Sequence, residues 1–130
     1  MSTHISLAFD DAQVLATLTA ASDDELDLLN FGVIGFDVEG VVRAYNAYES
    51  KCAGLSADRV KNHPLFTVVA PCMNNFLVAQ RFDDAAAAAE SLDATIDYVL
   101  TLRMRPVKVK LRLIARPATV LRYVLVLRRI

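Results

Sequence analysis

The sequence has no tryptophan, four glycines, four prolines and two cysteines in 130 residues. So little glycine and proline is not typical of a flexible linker or a fibrous repeat. The two cysteines, Cys52 and Cys72, are too few for a disulfide framework, and we expect reduced thiols in a cytoplasmic protein. No apolar run reaches the roughly 18 residues of a transmembrane helix, and the N-terminus lacks the basic and apolar segments of a signal peptide.

Acidic residues are missing from the C-terminal part of the chain. All 15 lie in residues 1–100 with five of the 14 basic residues, whereas the other nine basic residues lie in residues 101–130. A basic tail alone would suggest nucleic acid, but the net charge of −1 for the whole chain argues against it. The hydrophobic content of 55% is sufficient for one packed domain.

Hydrophobic patterning predicts helices and strands in turn along the first 90 residues. Ser22 and Glu25 have the spacing of a capping box inside a broken helical segment over residues 10–29. Residues 31–46 are typical of a β-hairpin, and short helical pieces follow. Residues 75–90, with their run of alanines, predict the longest helix.

The C-terminal part predicts three strands. From Leu92 onward apolar and polar residues alternate with a period of two, and Pro106 interrupts the pattern before two further strands. We therefore predict an α+β fold in one domain, with an N-terminal helical cap over residues 1–28 and a core over residues 29–130. The core would be a five-stranded antiparallel sheet with central helices on one face and the cap on the other, which is the element order of a PAS domain.

Residues 24–130 contain segments that resemble one known family. The segments are LDLLNFGVIGFDVEG, YNAYES, LFTVVAPC, MRPVKVK and YVLVLRRI, in this order. Together they resemble the photoactive yellow protein (xanthopsin) family of PAS-domain photoreceptors. The segment VAPC at residues 69–72 is a specific signal, and its distance from Glu49 matches the family without a gap.

The resemblance implies a chromophore, p-coumaric acid (4-hydroxycinnamic acid), bound covalently to Cys72 as a thioester. It also implies that Tyr45 and a protonated Glu49 hydrogen-bond the phenolate oxygen at the far end. Their spacing is chemically sensible by itself, because a buried carboxylic acid stays protonated when burial disfavours its charged form. A photocycle would follow, in which trans–cis isomerisation and proton transfer from Glu49 loosen the fold and signal to a partner.

The same resemblance marks the expected lining of the pocket. In the family a threonine stands at the position of Ala53, an arginine at that of Leu55, and aromatic residues at two positions that are leucine here. Such replacements lead us to expect altered colour and recovery kinetics. The expected lining residues are Ala53, Leu55, Ala70, Pro71, Leu100, Leu102 and Met104.

Two other interpretations compete with a photoreceptor. The replaced lining residues favour a PAS interaction or small-ligand-binding module without photochemistry. A thiol enzyme is the weakest reading, since His63 is the one nearby base for Cys72, and we expect no enzyme activity. Cys52, His63 and Cys72 lack a fourth ligand and a recognisable spacing, so no metal site is predicted.

The expected role is sensory signal transduction in the cytoplasm. The partner would be a downstream signalling protein that the sequence does not identify, with neither nucleic acid nor membrane as a partner, and the chain would be a monomer or a weak dimer. Alternation places the basic residues of the C-terminal strands mainly on the outer face of the sheet. We expect the acidic helices of the cap to cover that face, although exposed ion pairs are individually weak, at about 0–1 kcal/mol.

Overall fold

The structure is a computed structural model that describes residues 8–101 and 106–128. None of the helices within these ranges is long and apolar enough to cross a membrane. The helices are α1 (Val14–Ala20), α2 (Asp23–Leu26), α3 (Ala47–Ala53), α4 (Ala57–Val60) and α5 (Ala79–Ala87). The strands are β1 (Gly32–Phe36), β2 (Val42–Tyr45), β3 (Leu92–Leu100), β4 (Val107–Ala115) and β5 (Arg122–Arg128).

The strands form one antiparallel sheet in the order β2-β1-β5-β4-β3. The last strand of the chain, β5, lies at the centre because it pairs with both β1 and β4. The β3–β4 hairpin is in continuous register from the pair Leu92–Ala115 to the pair Leu100–Val107. The predicted α+β fold with a five-stranded antiparallel sheet is confirmed.

Alternation along the strands divides the buried residues between the two faces of the sheet. We call the two groups the inner cluster, on the side of the central helices, and the outer cluster, on the side of the cap. The inner cluster contains Ile34, Phe36, Val42, Tyr45, Val60, Leu65, Val69, Ala70, Met73, Val78, Phe82, Tyr98, Leu100, Val109, Leu111, Leu113, Ala115, Val124 and Val126. The outer cluster contains Phe9, Val14, Leu15, Leu18, Leu26, Leu29, Phe31, Val33, Ala44, Ile114, Tyr123 and Leu125.

The cap is held on the outer face mainly by apolar contacts, with one arginine among them. Arg112 is 6% exposed, and its Nη1 donates hydrogen bonds to the main-chain carbonyls of Phe9 (2.9 Å) and Asp11 (2.8 Å). Its Nε and Nη2 bind both carboxylate oxygens of Asp93 on the neighbouring strand, each at 2.9 Å. The described part of the cap therefore contacts the sheet through side-chain packing and carbonyl oxygens, and the charges of Asp10 and Asp11 in the cap also favour the charged form of Arg112.

Two predictions about helix starts have different outcomes. The capping box is confirmed, since Ser22 Oγ accepts from the Glu25 N–H (3.2 Å) and Glu25 Oε1 accepts from the Ser22 N–H (2.9 Å). The helix predicted from residue 75 is wrong at its start, because α5 begins at Ala79. Asn75 Oδ1 accepts from the N–H groups of residues 77 and 78, and this local turn competes with the first helical turn.

Candidate functional site

Tyr45 and Glu49 lie at the junction between β2 and α3. Tyr45 is the last residue of β2 and is 5% exposed, and Glu49 is in the first turn of α3 and is 2% exposed. Burial, and next the negative charge of Glu49, raise the pKa of the Tyr45 hydroxyl. Tyr45 therefore keeps its proton in the neutral pH range and remains a hydrogen-bond donor.

Asn46, between these two residues, is a buried polar residue that the sequence analysis missed. It is 1% exposed, and its Oδ1 accepts from the N–H groups of Glu49 (3.2 Å) and Val33 (2.9 Å). Its Nδ2 donates to the carbonyls of Leu26 (2.9 Å) and Phe31 (3.0 Å). Asn46 thus connects the cap, β1 and the first turn of α3. An asparagine three positions before a glutamate is an N-cap signal that could have identified it.

The carboxylate of Glu49 is bound by a guanidinium. Arg128 Nη1 lies 2.6 Å from Glu49 Oε1, and Nη2 lies 3.1 Å from Oε2. The two side chains are 13% and 2% exposed, respectively. Burial lowers the pKa of Arg128, but the hydrogen bonds and charge of Glu49 outweigh this effect and raise it. The resemblance implies a protonated Glu49 that donates a hydrogen bond, whereas the geometry here is that of a charged pair.

Arg128 is not among the predicted site residues, because in the sequence it stands out only as one of the basic residues of the tail. The signal was the alternation in β5, because Arg128 follows Val124 and Val126 on the face that carries the inner cluster. Gly32 on β1 completes the arrangement. A Cβ at this position would collide with Glu49 Oε1, so the carboxylate occupies space that any other residue would fill.

Cys72 lies in a short 3-10 turn, Pro71–Met73, which follows a single π-helical turn over Leu65–Val69. Its thiol is free and its side chain is partly buried. It packs against the inner cluster, the same cluster that contains Tyr45. The fold therefore brings the predicted attachment residue and one predicted hydrogen-bond donor to the same side of the sheet.

The main chain at Cys72 is held by two side chains. The hydroxyl of Tyr98 donates to the Cys72 carbonyl, and Asn75 Nδ2 donates both to this carbonyl (3.2 Å) and to the Tyr98 oxygen (2.6 Å). A groove of about 730 Å³ lies beside this triangle, and its lining includes Asn75, Leu77, Tyr98 and Val109. The turn that carries the thiol is thus fixed from its carbonyl side next to an open groove.

The predicted lining residues differ in where the structure places them. Ala70 and Leu100 are in the inner cluster, and Leu55 packs against it. Ala53 is buried at the end of α3, and Pro71 is exposed. Leu102 and Met104 lie outside the described residues.

Comparison with solved structures defines the class of protein. PAS domains of other proteins that are 11–18% identical to the chain have TM-scores of 0.59–0.60, which shows a shared fold alone. A crystal structure of the photoactive yellow protein domain of the sensor histidine kinase Ppr from Rhodospirillum centenum has a TM-score of 0.78. It is 33% identical, and the match covers 85% of this chain and 96% of that domain. The chain is a PAS domain.

Sequence comparison identifies the family within this class. A photoactive yellow protein from Rhodothalassium salexigens is 31% identical over 107 residues, which cover 82% of this chain and 85% of the relative. Another, from Halochromatium salexigens, is 32% identical over 105 residues, which cover 81% and 83% of the two chains. No family model matches the chain. The chain belongs to the photoactive yellow protein family, as the quoted segments predicted.

Proposed function

We propose that the chain is a blue-light photoreceptor that carries p-coumaric acid as a thioester on Cys72. One observation carries the proposal beyond family membership: the free, partly buried Cys72 packs against the same inner cluster as the buried Tyr45. In the attachment step, Cys72 Sγ bonds to the acyl carbon of an activated p-coumaric acid. The bond from that carbon to its leaving group breaks, and the leaving group departs with the thiol proton.

The chemistry of these side chains fits a hydroxycinnamoyl group. Such a group requires a nucleophile at its acyl end, apolar walls along its ring, and polar partners at its phenol end. Cys72 would supply the nucleophile, Ala70 and Leu100 belong to the apolar wall, and Tyr45 and Glu49 are the polar partners. A buried oxygen anion is stabilised when O–H donors reach it and is costly when none do.

The proposed response to light depends on a proton held by Glu49. When bound, the chromophore absorbs blue light and changes from trans to cis. Before illumination, Tyr45 and Glu49 each donate a hydrogen bond to the phenolate oxygen. After illumination, Glu49 transfers its proton to that oxygen and becomes a carboxylate. The loss of this proton changes the charge at the first turn of α3. Since Asn46 connects that turn to the cap, the cap is the element that we expect to respond first.

Reconstitution with activated p-coumaric acid tests the attachment, with mass and visible absorption as the two measurements. We expect the wild-type chain to gain the mass of one acyl group and a visible band, and Cys72→Ala to gain neither. Cys52→Ala is the matched control, because it removes the other free thiol, and it should behave as the wild type does. A folded wild-type chain without adduct would contradict the proposal and would favour a small-ligand or interaction module.

A further inference from the structure

Arg128 places a positive charge on the inner side of the sheet, at the end of the central strand β5. Its guanidinium makes two hydrogen bonds to Glu49, and both side chains are largely withdrawn from water. Among the described residues, the other titratable groups that face it are Tyr45, Tyr48 and Cys52. Burial raises the pKa of both tyrosines, so neither tyrosine adds a negative charge beside Glu49 and Arg128.

Stability alone does not account for such a pair. The desolvation of two buried charges offsets most of their attraction, and apolar residues of similar size often stabilise a fold equally well. The chain nevertheless leaves space for the carboxylate by having no side chain at Gly32. A buried guanidinium bound to a single carboxylate is a site where a second anion can compete for the same cation.

We propose that Arg128 is the counter-ion of the ligand site and allows a phenolate to be bound beside Glu49. This inference rests on the proposed function. In the ligand-free chain the carboxylate and the guanidinium sum to zero charge. As a neutral phenol is bound, Glu49 takes up the phenol proton on a carboxylate oxygen, and Arg128 balances the phenolate that remains. The sum stays zero, and no proton is exchanged with solvent.

The pair also gives Glu49 a defined state after illumination. When Glu49 returns its proton to the phenolate oxygen, its carboxylate is again opposite the guanidinium of Arg128, which is the geometry seen here. The carboxylate left by proton transfer is therefore a paired charge. A chain with a neutral residue at position 128 would leave that carboxylate buried without a partner.

The first test titrates the chromophore in the reconstituted protein. The measured quantity is the pH at which half of the visible phenolate band is lost. We expect Arg128→Gln to move this midpoint upward by about 1 to 3 pH units, because an opposite charge at short range favours the ionised phenol. Arg128→Lys keeps the positive charge and should therefore have a midpoint close to that of the wild type. Arg43→Gln is the matched control, because Arg43 on β2 has an exposed side chain that pairs with Asp37, and its loss should leave the midpoint unchanged.

The second test needs no chromophore. Urea unfolding is compared for Glu49→Gln, Arg128→Gln and the double variant, and we expect the double variant to lose less stability than the sum of the two single losses. Additive losses of stability would contradict the proposed role of Arg128 as the counter-ion, whether or not the chromophore binds. Equal midpoints for a pigmented wild type and Arg128→Gln would overturn the counter-ion and leave the proposed function intact. A wild type that binds no chromophore would contradict both.

Discussion

Among the described residues, each face of the sheet has a largely buried arginine bound to a carboxylate, and the two sites differ in what else the arginine contacts. On the outer face, Arg112 divides its donors between Asp93 and two main-chain carbonyls of the cap. On the inner face, both described hydrogen bonds of Arg128 go to Glu49. A carbonyl oxygen has no proton to gain or lose, whereas a carboxylate can take up a proton and lose its charge. The outer arginine is therefore suited to holding a structure together, and the inner arginine to responding to a change of charge.

The two carboxylates also differ in how far they are exposed to water. The side chain of Asp93 is 49% exposed, whereas that of Glu49 is 2% exposed. Water can solvate the carboxylate of Asp93 when the outer pair opens, so this carboxylate loses little by being unpaired. Glu49 has little access to water, so the loss of its partner is costly. The chain thus places an ion pair with a half-exposed carboxylate and an ion pair with a buried carboxylate on opposite faces.

The largest expected effect comes from a cavity on each face. Leu18→Ala in α1 truncates the outer cluster, and Leu111→Ala in β4 truncates the inner one, and each should cost about 3 kcal/mol of unfolding free energy. We expect Leu18→Ala to raise hydrogen exchange in α1 more than in β4, because the cap can open while the sheet persists. Leu111→Ala should raise exchange in both elements alike. Equal exchange patterns for the two variants would show that the cap does not open independently of the sheet.

A smaller effect on stability is expected at the outer face when the pH is lowered. The hydrogen bonds from Arg112, which burial opposes only in part, hold the pKa of Asp93 below its usual range. The stabilisation by this pair is therefore present above the ordinary carboxyl pKa of about 3.9 and is lost as the pH falls through the lower folded value. Because Asp93 is half-exposed, the stabilisation by this pair should stay below about 1 kcal/mol.

Unfolding measured against pH in Asp93→Asn checks this expectation. The variant should lack this part of the acid-dependent loss and should be less stable than the wild type near neutral pH. Asp97→Asn is the control, because Asp97 pairs with Lys110 on the same two strands but its side chain is 87% exposed. If both variants reproduced the wild-type pH profile, the pair of Asp93 and Arg112 would contribute nothing to stability.

The smallest expected effect is that of salt on the cap. If the acidic cap were held on the basic C-terminal strands by charge, screening by salt would release residues 1–28. The described part of the cap, however, packs through the apolar outer cluster and the hydrogen bonds of Arg112. Salt at about 1 M should therefore leave the rate of proteolysis in residues 8–28 nearly unchanged, since screening acts mainly on exposed charges. A severalfold faster cleavage would restore the electrostatic explanation.

Local patterns predicted much of the fold. Alternation located the strands, and the spacing of Ser22 and Glu25 identified a helix start that the structure has. The error at the start of α5 has a local cause too, because the side chain of Asn75 binds main-chain N–H groups that a helix would use. Periodicity reports which residues are apolar and is insensitive to such a competing hydrogen bond.

The candidate site was predictable only in part. The spacing of Tyr45 and Glu49 indicated two polar groups at one end of a site, and the structure has both buried. The partner of Glu49 lies 79 residues away, so no local pattern connects it with Arg128. Counting the basic residues of the tail together concealed that Arg128 lies on the face of the inner cluster. That contact depends on β5 lying between β1 and β4, which is a property of the sheet order.

Gly32 has a consequence for how this scaffold can vary. Because the carboxylate of Glu49 occupies the volume of a side chain at position 32, the two positions share one space. A methyl group there would displace the carboxylate, and a smaller residue at position 49 would leave a void that an alanine at position 32 could fill. Attempts to redesign or diversify the protein should therefore vary positions 32 and 49 together whenever a side chain is introduced at position 32, since that side chain needs the space of the Glu49 carboxylate.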